Sequence, residues 1–193
     1  MKNLNELSQA IHDNAVNHGF WSDKPSTEHC LMLVVTEIAE MVEADRQGKS
    51  AILNHIRKQK NLASAQKTRL YDEVEAAPDF NAAFTEMVKN TVEDEMADVV
   101  IRLLDLAGSL GIDFDKFSPN KYHRAFDKFT FTENAFALTK GLTRENINIF
   151  KRIQFGIHYV TLWAKNQGFD LDWHVRAKMC FNATRPARHG KKY

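Results

Sequence analysis

Two short acidic strings carry the chemistry in this chain of 193 residues, Glu37-Ile38-Ala39-Glu40 and Glu95-Met96-Ala97-Asp98. Each sets an acid, two apolar or small residues and a second acid inside an apolar helical pattern. Three residues is about one turn of α-helix, so the acids of each string share a face. If the two helices pack side by side, four carboxylates meet. Unpaired, they would repel one another and several would hold their protons. Divalent cations resolve that conflict. Mg²⁺ prefers hard oxygen ligands, near-octahedral geometry and retained waters, and Mn²⁺ can substitute for it. Di-iron bundles use Glu-x-x-His, and neither string contains a histidine, which weakens iron. A Mg²⁺ cluster of this kind would bridge polyphosphate oxygens and lower the pKa of a bound water. A carboxylate not fully committed to metal would take that water's proton, with Glu37 and Glu40 both candidates.

A lone glutamate on a helix is most often just solvated. Three features set these strings apart. Each borders an apolar stripe, both have the same spacing, and neither has a basic residue four positions later to neutralise all its charge, although Arg102 can reach Asp98. Glu93 and Asp94 adjoin the second string but do not share its face, so they are expected to be solvated.

The elements that must position these acids read as helices throughout. Glycine and proline are scarce, at 8 and 4, and strand-like alternation is hard to find, so the fold class is all-α. Leu4, Leu7, Ile11, Ala15 and Val16 mark a helix over 3–18, ending near Gly19. After the break at Pro25, Ser26 or Thr27 caps a helix over 27–47, with Leu31, Val34, Val35, Ile38 and Val42 inward and Gly48 as its stop. Residues 49–80 read as an insertion or lid with a short basic helix around Ile52 and Ile56, broken at Pro78. One long helix is expected over 80–110, from Phe84 to Leu110. Further helices fall at 132–140, 144–167 and 171–183, the last capped by Asp172. The basic tail 184–193 is expected to be disordered unless bound.

Gly111-Ile112-Asp113-Phe114-Asp115 with Lys121 recurs as Gly168-Phe169-Asp170-Leu171-Asp172 with Lys178, offset by 57 residues. That pattern reads as an internal duplication. It sets Arg152 opposite Glu95 and Phe155 opposite Asp98, so the second copy has lost its acids. The chain is read as one domain over 1–193, with a catalytic half of about 1–125 and a degenerate half of about 130–193.

Composition excludes several classes. A net charge of +1 gives no general attraction to nucleic acid or lipid. No apolar run approaches the roughly 20 residues needed to span a bilayer, and the first residues lack the apolar centre of a signal peptide. Cys30 and Cys180 form neither a disulfide framework nor a zinc spacing, so a cytoplasmic location is expected. Glycine-rich phosphate loops and Ser-His-Asp or Cys-His arrangements are not found. Trp21, next to Phe20, could stack on a nucleobase with Lys24 near a phosphate, or simply cover the bundle end. Trp163 and Trp173 read as core. His12, His18, His123, His158 and His189 read as surface residues.

The order E-x-x-E then E-x-x-D resembles the all-α nucleoside triphosphate pyrophosphohydrolases. That superfamily includes MazG-like proteins, dimeric dUTPases, dCTP pyrophosphatases and phosphoribosyl-ATP pyrophosphatase. The strings GFWSDKPSTEHCLMLVVTEIAEMVEADRQGK and VEDEMADVVIRLLDLAGSLGID are similar to MazG-type segments. Lys178, Asn182 and Arg185 resemble the K-x-x-x-N-x-x-R that follows the acidic helices. The resemblance implies an all-α bundle of that type that hydrolyses a nucleoside triphosphate between its α- and β-phosphates, using Mg²⁺. It also implies that Glu37, Glu40, Glu95 and Asp98 ligate the metal, that Lys178, Asn182 and Arg185 meet the triphosphate or sugar, and that a homodimer forms. The chain departs from the short members in its long segment between the acidic helices and its substantial second half. A protein that senses nucleotides without hydrolysis is the alternative.

Overall fold

Side-chain caps written into the sequence set most helix bounds. The computed structural model describes residues 3–51, 66–116 and 123–190. The basic helix expected around Ile52 and Ile56, Lys121 of the repeat and the His189 side chain lie outside the described residues. Helix α1 (Leu4–Asn17) starts after Asn3, whose side chain accepts from the Glu6 amide. Ser26 caps α2 (Thr27–Arg46) by accepting from the His29 amide, and the left-handed Gly48 follows its end. Next come α3 (Gln66–Glu75) and α4 (Phe80–Met87), the latter capped by Asp79. Thr91 caps α5 (Val92–Ser109), and a Thr130–Glu133 capping box starts α6 (Phe131–Leu142). Helix α7 (Ile149–Gln167) ends at Gly168 with φ 81°, and Asp170 caps α8 (Leu171–Ala183). The described residues are thus all-α, with no strand among them. None of their helices is long and apolar enough to cross a membrane.

Four expectations about the elements are corrected. The single helix over 80–110 is two helices, because Asn90 turns left-handed (φ 60°) and Thr91 takes up the Asp94 amide as a new N-cap. Asp170, not Asp172, caps α8, and Asp172 instead pairs with Arg176 one turn on at 2.9 Å. The described part of the 49–80 segment is packed rather than lid-like. Leu70 and Val74 are fully buried, and Tyr71 stacks on Trp173 at 4.3 Å between centroids. The tail also folds back as far as Gly190. Arg188 donates from its backbone to His18, from Nε to Gly19, and from Nη2 to Asp23 at 2.7 Å.

Helix α5 is the centre of the molecule, touching α1, α2, α7 and α8. Met96, Val99, Val100, Leu103 and Leu104 are fully buried on it. At Gly108 the chains approach so closely that a Cβ would lie 2.6 Å from the His12 Cβ on α1. Nearby, Ser8 donates to the Leu104 carbonyl at 2.8 Å. One hydrophobic cluster runs from Ile11 to Phe181, with Trp163 fully buried in it and Trp173 packed at its margin. Helix α7 begins 57 residues after α5, at the repeat offset. On α7 the two acid positions are packing residues: Arg152 donates to the Leu142 carbonyl and the Phe155 ring covers Gly141.

Candidate metal and substrate cleft

The break before α5 creates the site's acidic floor. It puts Glu93, Asp94 and Glu95 in the first turn, where free backbone N–H groups and the helix dipole favour negative charge. Helix α2 lies alongside and presents Glu37. One carboxylate oxygen each from Glu37, Glu95 and Asp98 lies within 4.8 Å of the others. Ligand oxygens around a small divalent ion sit about 3–4 Å apart, so a modest inward shift of these side chains would close on one cation. Glu37 and Glu95 are buried and Asp98 is half-buried. Glu40 also lines the cleft, but it is exposed and stands outside that trio.

Two cations already face the acids. Arg102 Nε donates to Glu37 Oε1 at 3.0 Å, reaching across to α2 rather than to Asp98 as its spacing implied. Lys178, on α8, holds Asp94 Oδ2 at 2.8 Å and Asp98 Oδ2 at 2.7 Å, itself only 5% exposed. Its ammonium is therefore engaged with carboxylates at the floor. Glu93 and Asp94 are buried, against the expectation of solvation. Glu93 accepts from Ser50 Oγ at 2.6 Å and the Ala51 amide at 2.9 Å. Asp94 serves Lys178 and the Asn90 amide through Oδ2, while its buried Oδ1 has no partner among the described residues. A buried first turn needs its acids paired within the protein, which helical periodicity alone does not reveal.

These surroundings shift several protons. Burial, then Asp98 and Asp94, push the Glu95 carboxyl up to about 8. Burial and Asp98 also raise Glu37, despite the neighbouring Arg102. Burial raises Asp94 in spite of its lysine. Burial opposes charge on Lys178, but Asp98 and Asp94 together outweigh it and hold the ammonium more firmly than usual. The floor therefore keeps protons that a divalent cation would displace.

Above the floor is a cleft of about 350 Å³. Lys89, Asn90, Asn182 and Arg185 line it, so the sequence-predicted Lys178, Asn182 and Arg185 do come together with the four acids. Arg185 leans over the Phe181 ring at 5.8 Å and Nη1 lies 3.4 Å from Asn182 Oδ1. Trp21 and Lys24 line a second cavity of about 370 Å³ instead. Phe20, Arg102 and Asp105 belong to the walls of both. Trp21 Nε1 donates to Asp105 Oδ1 at 2.9 Å, and His12 Nδ1 lies 2.8 Å from the same oxygen. His12 is thus an internal partner, not the surface residue its polar helix face implied.

Sequence reasoning missed Lys89, Asn90, Asp94 and Asp105. Only Asp105 left a readable signal: Glu95, Asp98, Arg102 and Asp105 follow at spacings of three, four and three, one face of α5. No protein-family model matches the chain, and neither curated proteins nor solved structures give a match.

Proposed function

We propose that the chain is a Mg²⁺-dependent nucleoside triphosphate pyrophosphohydrolase, releasing a nucleoside monophosphate and pyrophosphate. The observation that carries this reading is the convergence of Glu37, Glu95 and Asp98 from two helices at the floor of a cleft also lined by Lys89 and Arg185. An all-carboxylate donor set suits Mg²⁺ or Mn²⁺. An acidic floor beside basic walls suits a polyphosphate bridged by a cation, because neither charge alone would hold it. The ordered strings that resemble the all-α pyrophosphohydrolases support the same reading.

In this reading Glu37, Glu95 and Asp98 hold the cation, with Glu40 one turn from Glu37 at the exposed edge. Bound Mg²⁺ would supply charge stabilisation on the phosphates and a water of lowered pKa. Glu40, outside the converging trio, is the carboxylate placed to accept the proton of the attacking water. Lys89 and Arg185 orient phosphate oxygens, one as a point charge and one as a planar fork. Lys178 holds Asp94 and Asp98 in place through its two ion pairs.

One observation favours a second reading, a nucleotide sensor without hydrolysis. Arg102 and Lys178 already give Glu37 and Asp98 protein counter-ions, as a metal-independent binder would need. A panel of ribo- and deoxyribonucleoside triphosphates, with pyrophosphate and orthophosphate measured separately, decides between them. Pyrophosphate release lost in EDTA and in Glu40→Gln and Asp98→Asn supports the enzyme. Folded protein that binds nucleotide tightly and yields no product supports the sensor. Sedimentation of the purified chain tests the homodimer that belongs to the enzyme reading.

A further inference from the structure

The wall between the two cavities carries a carboxylate held in one orientation. Asp105 Oδ1 has two neighbours, Trp21 Nε1 at 2.9 Å and His12 Nδ1 at 2.8 Å. An indole N–H only donates and a carboxylate oxygen only accepts, so His12 carries its proton on Nδ1. Two donors converging on one oxygen stop the carboxylate from rotating. Oδ2 takes no hydrogen bond from any described residue, and it is not among the enclosed unpartnered atoms. Asp105 itself lines both the acid cleft and the second cavity, at the wall they share. The second cavity sets the rings of Phe20 and Trp21, with Pro25, Cys30 and Leu33, among the polar or charged Asp23, Lys24, Ser26, His29, Arg102 and Arg188. A flat heteroaromatic ring fits such a lining, and Asp105 offers it a single acceptor.

We infer that Asp105 is a specificity-determining residue that selects adenine or cytosine, whose amino group stands where hypoxanthine and uracil carry a carbonyl oxygen. The inference rests on the reading of the acid cleft as a nucleoside triphosphate site. An amino group donates to Oδ2, whereas a carbonyl sets two lone-pair oxygens face to face. Sites built around a fixed hydrogen-bonding group reject the wrong partner strongly, because the buried polar group is left unpaired.

The test is calorimetric, with non-cleavable α,β-methylene triphosphates of cytidine, uridine, adenosine and inosine in Mg²⁺. Wild-type protein is expected to bind the cytidine and adenosine analogues at least about tenfold tighter than their oxo counterparts. Asp105→Asn should reverse that order. Trp21 and His12 require the amide oxygen at the Oδ1 position, which forces the NH₂ group to the place of Oδ2. Discrimination within twofold in the wild type overturns the inference without any variant, as does an Asp105→Asn protein, folded by circular dichroism, that weakens all four equally. Ordinary triphosphates are assayed for cleavage in parallel. Base discrimination without cleavage leaves Asp105's role standing and removes the hydrolase reading. Cleavage without discrimination does the opposite, and no binding by any analogue removes both.

Discussion

Replacing Glu95 by glutamine should stabilise the metal-free protein by an amount that grows from about pH 4.5 and levels off above about pH 8. In the fold this carboxyl is pushed from the ordinary 4.5 up to about 8, by burial first and then by Asp98 and Asp94. Folded protein therefore binds this proton more tightly than unfolded chain does. The stability it contributes is complete below pH 4.5 and is lost as pH rises through about 8. At about 1.4 kcal/mol per pH unit, that gap sets a ceiling of about 5 kcal/mol on the cost of ionising Glu95. The side chain borders an open cleft, where solvent screening reduces the working figure to about 2 kcal/mol. Glutamine stays neutral, makes the same shape and carries no such cost. In EDTA, Glu95→Gln should therefore melt with the wild type at pH 5 and about 4–8 °C above it at pH 9. Circular dichroism melts at pH 5, 7 and 9 read the effect. Adding Mg²⁺ or Mn²⁺ at pH 9 should raise the wild-type melting temperature and leave that of the variant nearly unchanged. A variant no more stable than wild type at pH 9, or a difference that ignores pH, refutes the account of a proton-holding acidic floor.

Three other perturbations test the packing around the cleft. Lys178→Met strands Asp94 and Asp98 without their shared cation and should cost about 3 kcal/mol or more in urea unfolding, more at pH 9 than at pH 5. Gly108→Ala drives a methyl group to 2.6 Å from the His12 Cβ and 3.0 Å from the Ser8 carbonyl oxygen. It should destabilise by about 1–3 kcal/mol, and tryptophan fluorescence should report the displacement of Trp21. His174 is buried among the rings of Tyr71, Phe169 and Trp173, and burial pushes its imidazole down to about 3. Its stabilising effect is whole above 6.5 and is lost as pH falls toward about 3. His174→Leu should therefore gain on the wild type by about 2 kcal/mol at pH 5 and by nothing at pH 8, as urea titrations at both pH values will show.

Legibility followed the range of the interaction. Ser26 and Gly48 mark the ends of α2 in the sequence because caps act within a few residues. The break at Asn90 and Thr91 was hidden by an apolar stripe that continues from Phe84 through Val88 to Val92 and Met96. A helical period persists in sequence even where the backbone leaves the helix. His174 gave no signal either, since its aromatic surroundings come from α3 as well as α8.

By itself the sequence determined the all-α class and the acid pairs on single helix faces. Both follow from a rise and a period that act over one or two turns. Only the tertiary structure decided which of those acids converge and which cation serves which acid. It set Arg102 on Glu37, Lys178 between Asp94 and Asp98, and Asp105 under His12 and Trp21. Those pairings join residues up to 93 positions apart, and they depend on how closely α1, α2 and α8 press on α5. That closeness comes from the side-chain volumes of the whole core, Gly108 among them, and no local pattern encodes it.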